Sequence, residues 1–420
     1  MLKLAIRGVS RYKKRTIITA FAIAIAIVFS IFMKSILTGV AMDSDKNLIW
    51  NDTSSAKVYA PGYFEDRDYL PIDKLITDQQ GIELEQLFKD NNYNSYTKEF
   101  VSSCQIMFYE DPFPTTGSLT ATLKALDSSH MNAYNFNNAE IEGNWINKDL
   151  SGIVLGSKLA ADINAEIGYY LTIQTKGKGG FIQAFDIPIV GIITTGDPVV
   201  DSSTIFSNLE LINDYLELEG SATNYSVSYS MNISKVKEIT DKETANLKEV
   251  VKPLNLEAYS WKEIAIDILK LQASKGGFSN IFLFFTFFIA IVGISNTMIM
   301  AISERKNEIA MLKTLGYNNK FIRRLFTLEG TIIGFLGVIV GSIVGTLIAF
   351  YYQKNGIDFS ALMANTESIG YRINSVMHAF VSPSQIFLII ILGIFVSMAA
   401  AYFAVRRTGR GEIAEMFRRI

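Results

Sequence analysis

The chain has 420 residues, 49% of them hydrophobic, with a formal net charge of −2, one cysteine and two histidines. A single cysteine excludes an internal disulfide, and two histidines with one cysteine cannot form a zinc site of the usual ligand spacing. The small net charge conceals an asymmetry, because residues 1–15, 303–324 and 406–420 together carry 17 basic and 4 acidic residues, whereas residues 41–275 carry 19 basic and 34 acidic ones.

Four apolar runs are long enough to cross a bilayer, which takes roughly 20 residues of helix. They lie at residues 16–33, 281–302, 330–352 and 386–405. Lipid tolerates only backbone that satisfies its own hydrogen bonds, so we expect four transmembrane helices. Short loops rich in Lys and Arg lie on the cytoplasmic side. The charge pattern therefore predicts that both termini and residues 303–324 are cytoplasmic and that residues 41–275 are on the outer face.

These expectations divide the chain into nine segments. The four transmembrane helices are expected at 16–41, 278–302, 325–352 and 386–405. On the cytoplasmic side lie an interfacial helix at 1–15, a coupling helix and loop at 303–324 and a tail at 406–420. On the outer side lie an α+β domain with stalk helices at 42–277 and a loop at 353–385. The alternative for the first run is a cleaved signal peptide. The apolar part of a signal peptide is about 7–15 residues, shorter than this run, and cleavage would leave three spans.

The outer segment is predicted to be an α+β domain. Residues 96–109, 118–126, 170–175, 185–194 and 225–233 are rich in β-branched and aromatic residues, and helical stretches at 157–163 and 209–218 lie between them. Helical spacing at Leu37–Leu48 and Trp261–Leu271 suggests that the first two spans continue outward as a paired stalk, with a joint at Lys275-Gly276-Gly277. We expect Cys104 to be a buried small hydrophobic residue.

The sequence lacks the motifs of an enzyme. A phosphate-binding loop needs Gly-x-x-x-x-Gly-Lys-[Ser/Thr], and the nearest stretch, residues 176–180, has no following hydroxyl and is predicted to be a hairpin tip. No nucleophile-elbow motif accompanies His130 or His378. We therefore expect no catalytic residue, metal, cofactor or nucleic acid on this chain, so any ATP and Mg²⁺ would be bound by a partner.

Two features of the third span predict packing within the membrane. Four glycines at spacings of three and four residues favour close helix–helix contact: Gly334, Gly337, Gly341 and Gly345. Glu329 lies one turn inside this span. An intramembrane carboxylate suggests function by default, but a structural anchor beside Arg323 and Arg324 is the interpretation that we favour.

The segment 303–316 resembles the corresponding segment of the FtsX/MacB-like permeases of ABC transporters. The resemblance rests on these residues: Asn296-Thr297-Met298, Glu304-Arg305, Glu308-Ile309, Leu312-Lys313, Leu315-Gly316 and Glu329-Gly330. It implies four spans, one large outer domain between the first two, and contact of this segment with a separate ATPase. The residues implied in that coupling are Glu304, Arg305, Glu308, Ile309, Leu312 and Gly316.

The outer domain resembles that of the lipoprotein-releasing permeases, LolC and LolE, around Gly152–Gly156, Leu171–Ile173 and Val190–Ile192. This resemblance implies a discontinuous Porter part with an inserted Sabre part, and release of lipoproteins from the inner membrane to a periplasmic carrier. The carrier-binding hook of LolC-type subunits would fall between Thr175 and Phe185, where this chain has a short Gly/Lys-rich linker. A LolE-like or more general role is therefore favoured.

The implied partners are a cytoplasmic ABC ATPase dimer, a second permease subunit (identical or paralogous), a lipoprotein substrate and the lipids of the inner membrane. Apolar side chains of the first two spans could line an acyl-chain site, with ordinary lipid-facing or packing roles as the alternative: Phe29, Phe32, Met33, Phe282, Phe285 and Phe288. MacB-like export of peptides or drugs and FtsX-like control of a cell-wall hydrolase remain the alternative functions.

Overall fold

The computed structural model describes residues 1–137, 139–149, 151–359 and 376–416. Its chain divides into two compact units. The membrane unit comprises residues 1–42, 271–358 and 376–420, and the outer domain comprises residues 43–270 together with 359–375. The C-terminal tail beyond residue 416 and residues 360–375 of the predicted outer loop at 353–385 lie outside the described residues.

The helices, in chain order, are α1 (Leu2–Arg11), α2 (Lys13–Leu48), α3 (Asp78–Asp90), α4 (Ser157–Asp162), α5 (Pro198–Ser203), α6 (Leu209–Leu216), α7 (Ile233–Val251), α8 (Trp261–Ile264), α9 (Ile266–Glu304), α10 (Lys306–Thr314), α11 (Asn319–Asn355) and α12 (Pro383–Met416). The strands are β1 (Ala56–Tyr59), β2 (Tyr96–Phe108), β3 (Gly117–Leu126), β4 (Glu140–Gly143), β5 (Ile153–Gly156), β6 (Tyr170–Lys176), β7 (Ile182–Thr194), β8 (Thr204–Asn208), β9 (Asn224–Val227), β10 (Glu257–Ser260), β11 (Ile357–Asp358) and β12 (Val376–Met377).

Four helices of the described chain are long and apolar enough to cross a membrane, as the hydropathy predicted. They cover Lys13–Thr53, Asn280–Glu304, Asn319–Asn355 and Pro383–Arg406. The backbone of α9 is helical without interruption from Ile266 to Glu304, so the expected joint at residues 275–277 is not a break. Two glycines do not have to end a long helix, because each costs only about 1 kcal/mol relative to Ala.

The glycines of α11 are packed on two sides of the helix. A Cβ added at Gly337 or Gly341 would lie 2.6 Å from the carbonyl oxygen of Ala20 or Ala24 on α2, and Gly345 faces Val28 in the same way. Gly334 instead packs against Ser397 on α12. The backbones therefore approach as closely as the small residues allow, which is the basis of helix association in lipid.

The outer domain is built on a ten-stranded sheet. The order is β10-β1-β9-β2-β3-β8-β5-β7-β4, and β6 pairs with both β2 and β7. These pairings close a six-stranded barrel of β2, β3, β8, β5, β7 and β6. Its interior holds the largest buried cluster of the domain, which includes Phe100, Ile106, Leu123 and Ile205. Cys104 belongs to this core and is 2% exposed, which confirms the sequence-based prediction.

Strands β1, β9 and β10 extend the sheet beyond the barrel and pack against α3 and α7. The predicted strand at 225–233 is too long, since β9 ends at Val227. Ile233 instead begins α7, because the Asn232 side chain accepts a hydrogen bond from the backbone N–H of Lys235 and caps the helix. Residues 177–181 form the turn between β6 and β7, one residue beyond the predicted hairpin tip at 176–180.

The two ends of the outer domain's chain meet in one buried cluster. Leu48 and Ile49, at the end of α2, pack with Trp261 of α8 and with Ala265. The backbone turns at Ala265 between α8 and α9, so the residues predicted to form one stalk helix belong to two.

A buried charged cluster ties the sheet together. The carboxylate of Glu99 on β2 is fully buried and lies 3.0 Å from the Lys57 ammonium and 3.7 Å from that of Lys124. The Tyr134 hydroxyl donates a 2.7 Å hydrogen bond to the same carboxylate. Burial alone would raise the pKa of Glu99, but the two lysines lower it below its usual value, so the carboxylate stays ionised.

Candidate coupling site

The segment predicted to contact an ATPase contains a break in the helix. The second span continues as α9 to Glu304, the chain turns at Arg305 with φ −104° and ψ 22°, and α10 begins at Lys306. The sequence predicted a single helix over this segment. The side chain of Arg305 turns into the protein at this break.

Arg305 forms a buried ion pair with Glu329 of α11. Its Nη1 lies 2.8 and 2.7 Å from the two carboxylate oxygens, and the side chains are 11% and 2% exposed. The guanidinium also lies over the Phe326 ring, 4.9 Å from its centroid. Glu329 is thus the anchor that the sequence suggested, but its partner is Arg305. Arg323 and Arg324 lie on another face of α11.

Glu308, in the first turn of α10, is held by the same arginine. The Arg305 Nε donates a 2.6 Å hydrogen bond to Glu308 Oε2, and Arg11 of α1 donates one of 2.9 Å to Oε1. Burial alone would raise the pKa of Glu308, yet the two guanidinium groups hold it below its usual value. Glu308 is therefore directed into the protein, and its side chain is 26% exposed.

The N-terminal helix completes the cluster. Gly8 of α1 packs directly on the Glu329 carboxylate, and any larger residue there would overlap it. The Tyr12 ring, between α1 and α2, lies 5.5 Å from the Arg305 guanidinium, and Arg15 reaches Glu304 at 3.3 Å. We call Arg305, Glu308, Glu329 and Arg11 the arginine clamp, because these side chains join α1, α10 and α11 at the break.

The remaining coupling residues divide into two groups. Ile309 is 4% exposed and packs in the core of the membrane unit, and Leu312 is half-buried. Glu304 is exposed, and Gly316 has a φ of +87°, which suits glycine at the end of α10. The most exposed large apolar side chains on the described part of α10 and just beyond it are Met311 and Leu315, which are 58% and 69% exposed, and Tyr317 after them is 42% exposed. Sequence reasoning missed Met311 and Leu315, although their i, i+4 spacing was visible.

A groove between α2 and α9 in the described membrane unit has a volume of about 380 Å³. Its walls are apolar apart from three threonines and include Ile23, Phe29, Ile289 and Ile294. Phe29 is the one predicted acyl-chain residue in this wall. Its ring lies 5.3 Å from that of Phe282, whereas Phe32 packs on Tyr352.

The other predicted acyl-chain residues lie outside the groove. Phe285 and Phe288 are more than half exposed on α9, and Met33 is half-buried on α2. Among the described residues, no group of three or more His, Cys, Asp or Glu side chains could hold a metal ion.

Comparison with known proteins identifies the membrane unit. Residues 280–413 match the FtsX-like permease C-terminal domain. The membrane unit therefore contains an FtsX-like permease domain. The matched residues include α10, most of α9, all of α11 and most of α12, so the arginine clamp is within the family domain except for its α1 residue.

Three relatives show how far the likeness extends. The cell division protein FtsX of Streptococcus pneumoniae is 32% identical over 29% of this chain and 36% of its own. An uncharacterised ABC transporter permease of Methanocaldococcus jannaschii is 26% identical over 63% of this chain and 62% of its own. The lipoprotein-releasing system transmembrane protein LolC of Neisseria meningitidis is 23% identical over 63% of this chain and 64% of its own. The chain thus spans between about one third and two thirds of these relatives' length.

Proposed function

We propose that this chain is the membrane subunit of an ABC transporter whose ATPase is a separate cytoplasmic chain. Its termini and α10 would lie on the cytoplasmic side of the inner membrane, as the basic segments suggest. The observation that carries the proposal is the exposed pair Met311 and Leu315, presented on a helix that is fixed from behind by a buried ion pair. Apolar side chains exposed at the end of a short helix are suited to a pocket on a partner.

The arginine clamp provides a path for force. A displacement of α10 acts on Arg305, which is joined to Glu329 in α11 and, through Glu308, to Arg11 in α1. The chain also passes directly from α10 into α9 at the same residue. ATP-driven closure of the partner would therefore move α1, α9 and α11 together, with little loss to local bending.

Within this class we favour release of lipoproteins. The likeness to LolC supports it, as does the apolar groove between α2 and α9, which could accept an acyl chain. Moving an acyl chain out of lipid involves about 0.8 kcal/mol per CH₂, so an energy source is needed. The barrel of residues 96–208, inserted between β1 and β9, would correspond to a Sabre-like part within a discontinuous Porter-like part.

On this proposal the partners are an ATPase dimer, a second permease subunit and a lipoprotein, with a periplasmic carrier as recipient. FtsX-like signalling is the second candidate, supported by the 32% identity to a cell division FtsX. MacB-like export is the third. Signalling and export would use the same coupling site as lipoprotein release, and they would differ from it in the role of the outer domain.

The test begins with purification of the full chain together with the ATPase that co-purifies with it. The complex is reconstituted, and ATP hydrolysis and release of a triacylated lipoprotein from proteoliposomes are measured. Lipoprotein-stimulated hydrolysis with release is the expected result. Hydrolysis that is indifferent to lipoprotein would contradict lipoprotein release and favour export or signalling, and absence of any ATPase would contradict the permease proposal itself.

A matched pair of variants isolates the contact surface. Leu315→Asp places a carboxylate on the exposed end of α10, whereas Asn355→Asp places one on the exposed end of α11. We expect the first variant to lose most of the ATPase association and the second to keep it. Equal retention by both would show that the exposed pair is not the contact.

A further inference from the structure

A second site lies at the start of α11. A cleft of about 530 Å³ opens there, and seven residues line it: Met1, Lys320, Arg323, Arg324, Thr327, Leu328 and Tyr402. Five of these residues come from one face of α11, at spacings of three and four residues. Tyr402 belongs to α12, and Met1 precedes α1. Three cations and no acidic residue line this cleft.

The cationic side chains of this cleft form no ion pair with the described part of the chain. Among the described residues, no carboxylate lies within 4.0 Å of Lys320, Arg323 or Arg324. The arginine clamp, by contrast, pairs every one of its charges. Three like charges within two turns of a helix repel one another, so an arrangement of this kind is stabilised by an anion.

A buried hydroxyl in the same cleft also has no partner. The Oγ1 of Thr327 is inaccessible to solvent and makes no hydrogen bond within the described chain. Other threonines of this unit, such as Thr331, donate to the carbonyl four residues earlier. A buried polar group without a partner costs about 1–3 kcal/mol. Because Thr327 lines the cleft, a rotation of its side chain would bring this oxygen to a ligand there and remove that cost.

We propose that this cleft binds the phosphate headgroup of an anionic phospholipid. Free phosphate shares that chemistry, but two features favour a lipid. The cleft lies at the end of a membrane-spanning helix, where the headgroups of one leaflet lie, and Leu328 and Tyr402 provide an apolar wall below the cations. The neighbouring α1 also exposes Leu2, Leu4 and Ile6, as expected of a helix lying in the interface.

The site does not depend on the proposed transport function. It is separate from the arginine clamp, because its residues lie on a different face of α11 from Leu325, Phe326 and Glu329, which are buried. A lipid bound here would contact α11 and α12 and the start of the N-terminal segment. It would therefore anchor this end of the membrane unit in the anionic leaflet.

The experiment titrates the full-length protein in detergent micelles with short-chain phosphatidylglycerol, phosphatidylcholine or inorganic phosphate. The test variant is Lys320→Gln/Arg323→Gln/Arg324→Gln. The control, Lys3→Gln/Lys13→Gln/Lys14→Gln, removes the same charge from exposed positions outside the cleft. At about one kcal/mol for each cation, we expect the test variant to lose affinity for phosphatidylglycerol roughly a hundredfold. The control should change it by less than about threefold.

Three outcomes would overturn the proposal. Equal losses in the two triple variants would show diffuse charge attraction, and equal binding of phosphatidylcholine would show that the anion is irrelevant. Inorganic phosphate binding as tightly as the lipid would show a site for free phosphate. Thr327→Val tests the site without altering charge, and we expect it to weaken phosphatidylglycerol binding by about three- to tenfold.

Discussion

Removal of Arg305 should expose how strongly the arginine clamp holds the membrane unit. In Arg305→Met, the carboxylate of Glu329 keeps its 2% exposure but loses both hydrogen bonds, and in the described chain Arg305 is the one cation within 4.0 Å of it. Removing one partner of a buried pair costs about 3–5 kcal/mol, because the remaining charge is uncompensated. We therefore expect a loss of that size in the free energy of unfolding.

A second substitution separates the charge from the packing. Adding Glu329→Leu removes the stranded carboxylate, so the double variant should recover most of the stability lost by Arg305→Met. Unfolding of the micellar protein by sodium dodecyl sulfate, followed by circular dichroism, measures the four corners of the cycle. Arg406→Met, at an exposed position, is the control and should change stability by less than about 0.5 kcal/mol.

The reasoning would be refuted by either of two results. A cost below about 1 kcal/mol for Arg305→Met would mean that water or another cation reaches Glu329 and that the break is not held by this pair. A double variant as unstable as Arg305→Met would mean that the lost packing over Phe326, rather than the charge, causes the effect.

Three further predictions concern the two units. Gly341→Ala should destabilise the membrane unit by about 1–3 kcal/mol because its Cβ would lie 2.6 Å from a backbone carbonyl oxygen, whereas Gly293→Ala, with no atom within 4 Å, should be neutral or stabilising in the same unfolding assay. Glu99→Gln should cost the outer domain about 3–5 kcal/mol in thermal unfolding, because two buried lysines lose their counter-ion. Burial alone would raise the pKa of Glu263, but the hydrogen bonds that it accepts from Lys248 and from the start of α8 lower it below its usual value. The ionised Glu263 side chain therefore stabilises the fold above about pH 4.5, and this contribution is lost as the pH falls through the lowered pKa. Glu263→Gln should therefore cost at most about 1 kcal/mol at pH 7 and nothing at low pH, as measured by tryptophan fluorescence.

The membrane unit was the most predictable part of the molecule. Hydropathy depends on composition over some twenty residues, so four spans follow from the sequence with little ambiguity. The helix break at Arg305 could not be predicted from the sequence, because the local sequence favours an uninterrupted helix. The break depends on a pairing with Glu329, which lies 24 residues further along the chain.

The outer domain was predictable in its class and in its longest strands. β2, β3, β6 and β7 lie close to the predicted ranges because their β-branched and aromatic residues are numerous. The barrel closure was not visible, since it results from β6 pairing with β2 over long sequence separation. Short strands such as β1 and β10 were missed because four residues give too little pattern.

The candidate site was predicted as a segment but not as a surface. Glu308 and Ile309 matched the family pattern, and the structure directs both inward. Met311 and Leu315 have ordinary helical spacing, and only the packing of the opposite face against the membrane unit shows that they are the exposed residues. Helical spacing shows which residues share a face of a helix, whereas the packing of neighbouring elements determines which face is buried.

Site-specific photo-crosslinking in cells tests the central claim most directly. A photoreactive residue is placed at Met311, Leu315, Ile309 or Asn355, one position at a time, in the full chain. We expect an adduct with a cytoplasmic ATPase from Met311 and Leu315, and none from the buried Ile309 or from Asn355 at the other end of α11. Absence of an ATPase adduct at both exposed positions, or equal adducts at all four, would show that the exposed side chains of α10 do not bind an ATPase.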